Sequence, residues 1–159
     1  MVYRPSALFR RTPQERADQW LSWNRADQAF FAAGACHILA FAFLETHPDS
    51  EFHPVGLWAH DDESPLHIYV TDGEWAFDHD GWTPHAELLA VTRATEPGKR
   101  YQPRRVERDL TLLCERYPYR ARHQFAHDPW QRALHYLARF PPSPGARLGV
   151  GGSGVVAGC

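Results

Sequence analysis

The sequence predicts a single α+β domain, in which helices precede a small antiparallel sheet and further helices follow it. Two patterns predict this class. Residues 34–44, GACHILAFAFL, would be apolar on nearly every side of a helix, so we expect that helix to run through the core. Residues 55–78 contain three short apolar runs separated by acidic segments, which is typical of strands. The chain of 159 residues is long enough to bury one sizeable core.

Two shorter helices are predicted ahead of this central helix. Residues 12–15, TPQE, combine a threonine N-cap, a proline at the first helical position and a glutamate that closes a capping box. The apolar residues expected on one face of this first helix are Ala17, Trp20 and Leu21. Asp27 is predicted to cap a second helix over 28–33, which Gly34 interrupts. The central helix should then end before Pro48.

The strand candidates are residues 55–59, 66–71 and 74–78. Asp72-Gly73 lies between the last two, and an Asp-Gly pair between two apolar runs predicts a hairpin. A turn at that pair would place His67 and Asp78 equally far from it, so that they could pair across the two strands.

Three helices are predicted after the sheet. The first begins at Thr83-Pro84, and the second begins at Pro103. The last follows Asp128-Pro129. These helices complete an α+β domain without internal repeats.

Residues 1–140 are assigned to this domain, and residues 141–159, rich in proline and then in glycine, to a flexible tail. The tail contains GVGGSG at residues 149–154, a literal match to the dinucleotide-binding fingerprint. That fingerprint functions only between a strand and a helix, and no strand pattern precedes it here, so we reject this interpretation.

Composition excludes several classes of protein. No run approaches the roughly 18 to 20 apolar residues of a membrane helix, and the N-terminal residues lack the apolar core of a signal peptide. Three widely spaced cysteines indicate neither a disulfide framework nor a zinc knuckle. We therefore expect a cytoplasmic protein, or an effector or toxin domain delivered without a signal peptide of its own, with no membrane, nucleic-acid or cofactor partner.

The charge is unevenly divided between the two halves of the chain. Residues 1–92 hold 5 arginines against 14 acidic residues, a balance of −9, whereas residues 93–159 hold 12 basic against 5 acidic residues, a balance of +7. The first interpretation is that the halves attract each other within one fold. The alternative is that the acidic N-terminal half or the basic C-terminal half docks a protein partner.

Cys36, His67 and Asp78 form the candidate catalytic group. Cys36 would begin the central helix, where unpaired backbone N–H groups and the helix dipole favour a thiolate. A thiol nucleophile needs a base within reach, and the base needs a third group that fixes its tautomer. Asp80 competes with Asp78 for that third position, because alternate residues of a strand face the same side. The opposing interpretation is that Cys36 is only a small core residue.

These residues and their order resemble the papain-like cysteine superfamily, in particular its bacterial transglutaminase-like and NlpC/P60-like branch. The resemblance rests on residues 27–82 and implies a cysteine-bearing helix packed on a small antiparallel sheet. It also implies that Cys36 is the nucleophile, His67 the general base and acid, and Asp78 the orienting residue. Papain-type enzymes have an aromatic residue after the cysteine, where this chain has His37, and an upstream glutamine in the oxyanion hole, for which Gln28 and Asn24 are the candidates.

The resemblance implies a cysteine-dependent amide hydrolase or acyltransferase: a peptidase, a glutamine deamidase or a transglutaminase-like enzyme acting on a protein or peptide. The alternative is a non-catalytic interaction module that retains the fold. A metal site is not expected. His53, His60 and His67 recur every seven residues, and a strand period of two does not bring such a spacing onto one face.

Overall fold

The computed structural model describes residues 2–145. Among these residues the α-helices are α1 (Pro13–Ala17), α2 (Gln19–Trp23), α3 (Asp27–Ala32), α4 (Cys36–Thr46), α5 (His85–Thr95), α6 (Leu110–Arg116) and α7 (Trp130–Leu137). The strands are β1 (His53–Trp58), β2 (His67–Thr71), β3 (Trp75–Asp78), β4 (Gly81–Pro84) and β5 (Gln102–Arg105). The strands form one antiparallel sheet in the order β4-β3-β2-β1-β5. The predicted α+β class and the adjacency of the three predicted strands are confirmed.

Both faces of the sheet are covered. The strand residues packed in the cluster that contains α4 are Ile68, Val70 and Phe77. On the opposite face, Tyr69 and Ala76 of the strands pack with Leu88 of α5 and with Tyr3 of the N-terminal segment. Because both faces are buried, β1 and β2 are apolar almost continuously and show no strict alternation of polar and apolar residues.

Helix α4 lies in the core, as its composition predicts. Every residue from Cys36 to Leu44 is buried, because the sheet, α3, α6 and α7 surround the helix. Gly34 has φ +107°, a conformation that L side chains rarely adopt, and it turns the chain from α3 into α4. This turn places Cys36 at the first helical position. No helix within residues 2–145 combines the length and the apolarity that crossing a bilayer requires.

The predicted first helix is instead two short helices. The capping box of Thr12 and Glu15 is present, but α1 ends at Ala17. The Asp18 carboxylate then accepts hydrogen bonds from the backbone N–H groups of Trp20 and Leu21 and starts α2. Trp20 and Leu21 are 56% and 48% exposed, so the predicted apolar face is not buried. Similarly, Asp27 is the first residue of α3 and not its cap.

Two of the later predictions are wrong in their boundaries. Pro103, predicted to begin a helix, lies in the edge strand β5 and pairs with Leu57 of β1. An edge strand tolerates proline because one row of its backbone groups needs no partner. The helix begins later, at Leu110, after the Asp109 cap. Thr83-Pro84 likewise belongs to β4, and α5 begins at the next residue.

Ion pairs join the two oppositely charged halves of the chain. Asp27 of α3 forms ion pairs with Arg132 at 2.8 Å and with Arg139 at 2.5 Å. Arg10 pairs with Glu96 at 2.6 Å. The two pairs of Asp27 join the acidic half to the basic half, as the first interpretation predicts, whereas the Arg10–Glu96 pair joins the halves with the signs reversed.

The packed part of the chain extends just beyond the predicted domain boundary. The Phe140 ring packs against Phe77, with their centroids 5.2 Å apart, and the Trp82 indole N–H donates to the Pro141 carbonyl at 2.8 Å. Residues 146–159, which include the segment GVGGSG, lie outside the described residues.

Candidate active site

Cys36, His67 and Asp78 belong to three elements that meet at one end of the sheet. Cys36 begins α4, His67 begins β2, and Asp78 ends β3. Since β2 and β3 are antiparallel neighbours, the start of one lies beside the end of the other. A thiol, an imidazole and a carboxylate from distant positions in the chain therefore lie at the same end of the sheet.

The hairpin between β2 and β3 has a longer turn than Asp72-Gly73 alone predicts. Val70 pairs with Phe77, so continuing the register sets Asp78 opposite Tyr69 and diagonal to His67. The difference from the predicted pairing is two residues, and a strand repeats its side-chain direction every two residues. His67 and Asp78 consequently remain on the same face.

Asp78 is the carboxylate that contacts His67. The distance from His67 Nε2 to Asp78 Oδ2 is 2.9 Å, and both side chains are buried. Asp80, the competing orienting residue, accepts hydrogen bonds from the Arg4 backbone N–H at 2.9 Å and from Gln28 Nε2 at 2.8 Å. Of the two alternatives left open by the sequence, Asp78 has the required contact and Asp80 is engaged elsewhere.

Further polar groups hold the Asp78 carboxylate in its ionised form. Tyr3 donates its hydroxyl to Oδ2 at 2.7 Å, and the Asp80 backbone N–H donates to Oδ1 at 2.9 Å. His79 Nδ1 lies 3.3 Å from Oδ2. Burial alone would raise the pKa of Asp78, but the charge of His79 and the hydrogen bonds with His67 and His79 hold it well below its usual range. Asp78 is thus a fixed anion behind His67.

Cys36 and His67 favour each other's charged forms. Burial alone would raise the pKa of Cys36, but the neighbouring imidazoles of His37 and His67 lower it to about 5. Burial would lower the pKa of His67, but Asp78 and Cys36 raise it to about 10. The structure therefore favours a thiolate–imidazolium pair at neutral pH.

The second ring nitrogen of His67 is free for chemistry. Nε2 is occupied by Asp78, and the buried Nδ1 has no hydrogen-bond partner among the described residues. Catalytic hydrogen bonds are often long or poorly aligned before substrate binds. Nδ1 is consequently the atom of His67 that can carry a proton to and from a substrate at Cys36.

Two aromatic residues beside Cys36, His37 and Tyr119, are not among the predicted site residues. His37 Nε2 lies 2.7 Å from the Arg120 carbonyl, and its ring packs against Tyr119 with 4.8 Å between the centroids. Tyr119 donates its hydroxyl to the Pro65 carbonyl at 2.7 Å, and burial together with the charge of Cys36 raises its pKa. His37 follows the cysteine directly, which was a usable signal. Tyr119 lies 83 residues beyond Cys36, and no local pattern marks it.

The two predicted oxyanion residues are not brought to Cys36. Gln28 bonds to Asp80 and accepts a hydrogen bond from Arg4 Nη1 at 3.3 Å. Asn24 is the C-cap of α2, and its side-chain amide donates to the Trp20 carbonyl at 2.9 Å. Neither side chain lines the cleft at Cys36. The first-turn backbone N–H groups of α4, which have no acceptor within the helix, are the donors that remain.

A group of possible metal ligands lies in the same network. Donor atoms of His67, Asp78 and His79 lie within 4.8 Å of one another, whereas of the three histidines spaced by seven only His67 takes part. Each of these residues already has a hydrogen-bond partner: Asp78 holds His67, and His79 Nε2 lies 2.8 Å from the Arg4 carbonyl. These contacts account for the clustering of the three residues as a hydrogen-bonded network.

Comparison with protein-family models, curated proteins and solved structures finds no match to this chain.

Cys36 is accessible from one side. Its residue is 4% exposed and lies at the wall of an open cleft of about 440 Å³. Tyr119 and Pro65 line the cleft beside it. A substrate can therefore approach the sulfur from the cleft while His67 and Asp78 stay buried.

Proposed function

We propose that the protein is a cysteine-dependent acyl-transfer enzyme, an amide hydrolase or acyltransferase that uses Cys36, His67 and Asp78. The observation that carries the proposal is the buried contact between His67 and Asp78, 2.9 Å long, next to a thiol whose pKa is lowered to about 5. A cysteine that is only a core residue would have its pKa raised by burial. Thiolates beside an imidazolium are the activated form of a cysteine nucleophile.

In the first half of the reaction, the Cys36 thiolate attacks the carbonyl carbon of an amide and a C–S bond forms. The carbonyl oxygen becomes an oxyanion, which first-turn N–H groups of α4 can stabilise. The C–N bond then breaks while His67 gives its proton to the leaving nitrogen. The products are a thioester on Cys36, a free amine and a neutral His67.

In the second half, water or an acceptor amine attacks the thioester. His67 accepts the proton of this nucleophile, the C–S bond breaks, and the thiolate and the imidazolium are restored. Asp78 remains ionised throughout and stabilises the imidazolium form of His67. Water as the acceptor gives hydrolysis or deamidation, and an amine gives transamidation.

The papain-like assignment is part of this proposal. It is supported by a buried helix that begins with the cysteine, packs on an antiparallel sheet and meets a histidine from β2 and an aspartate from β3. By the same resemblance, the substrate is an amide of a protein or peptide, such as a glutamine side chain.

Native alkylation tests the proposal. Iodoacetamide should modify Cys36 in the folded protein at pH 6, with peptide mass spectrometry as the readout. Cys114 is the internal control, because burial raises its pKa and it should react slowly at that pH. Labelling of Cys114 or Cys159 but not of Cys36 would reject the enzyme and leave a non-catalytic interaction module.

A further inference from the structure

The cleft at Cys36 is lined by positive charge. Its cationic lining residues are Arg10, Arg11, Arg16, Lys99 and Arg120. No aspartate or glutamate among residues 2–145 lines it. The neutral remainder of the lining includes hydroxyl groups of Ser6, Ser64, Tyr101 and Tyr119. A cleft with one sign of charge concentrates ligands of the opposite sign.

Two of these cations converge on the backbone just before the cysteine. A Cβ atom added to Gly34 would lie 3.2 Å from both Nε and Cζ of Arg11 and 3.2 Å from Nη2 of Arg120. Both guanidinium groups therefore lie beside the space that a side chain at Gly34 would occupy, two residues before Cys36. A side chain at position 34 would push them apart.

Three of the lining arginines, Arg11, Arg16 and Arg120, form no ion pair among the described residues, and of these Arg16 is exposed whereas Arg11 and Arg120 are partly buried. Arg10 pairs with Glu96, and Arg25 pairs with Glu15 at 2.9 Å. Within residues 2–145, neither Arg11 nor Arg120 forms an ion pair. Arg120 donates to the Gln19 amide oxygen and lies over the Phe125 ring, 4.7 Å from its centroid.

A contact with its backbone carbonyl helps to fix the position of Arg120. His37, the residue after the nucleophile, contacts the Arg120 carbonyl. Two half-buried guanidinium groups near each other are costly, and burial together with Arg11 lowers the pKa of Arg120 to about 10. A bound anion would offset this repulsion, and the planar guanidinium fork fits carboxylate and phosphate oxygens.

We infer that the cleft binds an anionic group of the acyl donor, a carboxylate or a phosphate, between the guanidinium groups of Arg11 and Arg120. The inference rests on the proposed function, since it assigns the substrate class of the same site. The anion would be held beside Gly34, which leaves the adjoining acyl carbon near the Cys36 sulfur. Arg11 and Arg120 are in this account the specificity residues, and Cys36 and His67 supply the chemistry.

The test compares two alkylating reagents of similar size, anionic iodoacetate and neutral iodoacetamide. Each rate at Cys36 is divided by the rate of the same reagent with free cysteine at the same pH. For the native protein, this normalised rate should be about tenfold higher or more with iodoacetate than with iodoacetamide. A tenfold ratio is the lower end of the rate increase that a positively charged cleft gives for an anionic ligand. The double variant Arg11→Gln/Arg120→Gln should lose this preference.

Two further variants serve as controls. Arg104→Gln/Arg105→Gln removes the same two charges from the exposed strand β5, away from the cleft, and should leave the preference unchanged. Arg11→Lys/Arg120→Lys keeps the charges and should retain part of the preference, which separates loss of charge from misfolding. If the arginines served only the Cys36 thiolate, the glutamine variant would slow both reagents equally, and the inference would be overturned.

The other outcomes are also distinct. Reaction with iodoacetamide but no preference for iodoacetate would overturn the inference and leave the proposed function standing. Reaction with neither reagent would overturn both. Protection of Cys36 from iodoacetamide by inorganic pyrophosphate, but not by succinate, would identify the phosphate form of the ligand, and the reverse result would identify the carboxylate form.

Discussion

Replacing His67 with glutamine removes the imidazole that bonds to Asp78 and lowers the pKa of Cys36, but keeps a polar side chain of similar length. In the native protein the imidazoles of His37 and His67 lower the pKa of Cys36 to about 5, which favours the thiolate at pH 6. An ordinary cysteine is only a few per cent thiolate at pH 7. Without the His67 charge, burial raises the pKa of Cys36 and only His37 opposes that effect. We expect the midpoint of the thiol titration to rise by about two pH units or more.

The assay is the rate of iodoacetamide modification of Cys36 as a function of pH between 4 and 10. The midpoint of this curve is used instead of the absolute rate. A lower pKa increases the fraction of thiolate but makes that thiolate less nucleophilic, so the two effects on the rate oppose each other. The native curve should have its midpoint near the pKa of about 5 and stay level toward the His67 pKa of about 10. A His67→Gln midpoint that remains near 5 would refute the reasoning, since His37 and the helix N-terminus would then hold the thiolate alone.

Two other substitutions test the groups behind His67. Asp78→Asn should preserve the shape of the site but lower turnover by about 10²-fold or more, measured at saturating substrate. Because the pKa of Asp78 lies below its ordinary range, the ionised carboxylate stabilises the fold above about pH 4, and this stabilisation is lost as the pH falls. Below about pH 4 the thermal unfolding midpoint of Asp78→Asn should therefore vary less with pH than that of the native protein. Tyr3→Phe removes a 2.7 Å hydrogen bond to the same carboxylate and should cost about 1.5–3 kcal/mol in urea denaturation, while an unchanged unfolding free energy would show that this bond contributes nothing.

The central elements were predictable because their signals are local. Helix α4 is apolar on all sides, and Gly34 before it marks the turn, so the sequence predicts a buried helix that begins at Cys36. Asp72-Gly73 predicts the hairpin, although its register differs by two residues. Because side chains of a strand repeat their direction every two residues, His67 and Asp78 lie on the same face despite that difference.

The remaining features depend on contacts between distant parts of the chain. Strand β5 is recognisable only from its pairing with β1, since the sequence QPRR has no apolar pattern. Gln28 and Asp80, which form a hydrogen bond, are 52 residues apart in the sequence. Arg11 and Arg120, which both lie near Gly34, come from opposite halves of the chain. Spacing along the chain carries no information about such contacts, so neither the loss of the oxyanion candidates nor the basic cleft was predictable.

The role of Cys36 as nucleophile is tested most directly by the intact mass of the protein after brief incubation with an activated ester that carries a carboxylate, such as a monoester of succinic acid with p-nitrophenol. We expect one acyl group per chain, attached to Cys36 in peptide maps and absent from Cys36→Ala. The His67→Gln variant should acylate much more slowly at pH 6. Acylation of Cys114 or of lysines at the same rate in the native and Cys36→Ala proteins, with no adduct on Cys36, would contradict the assignment of Cys36 as a nucleophile.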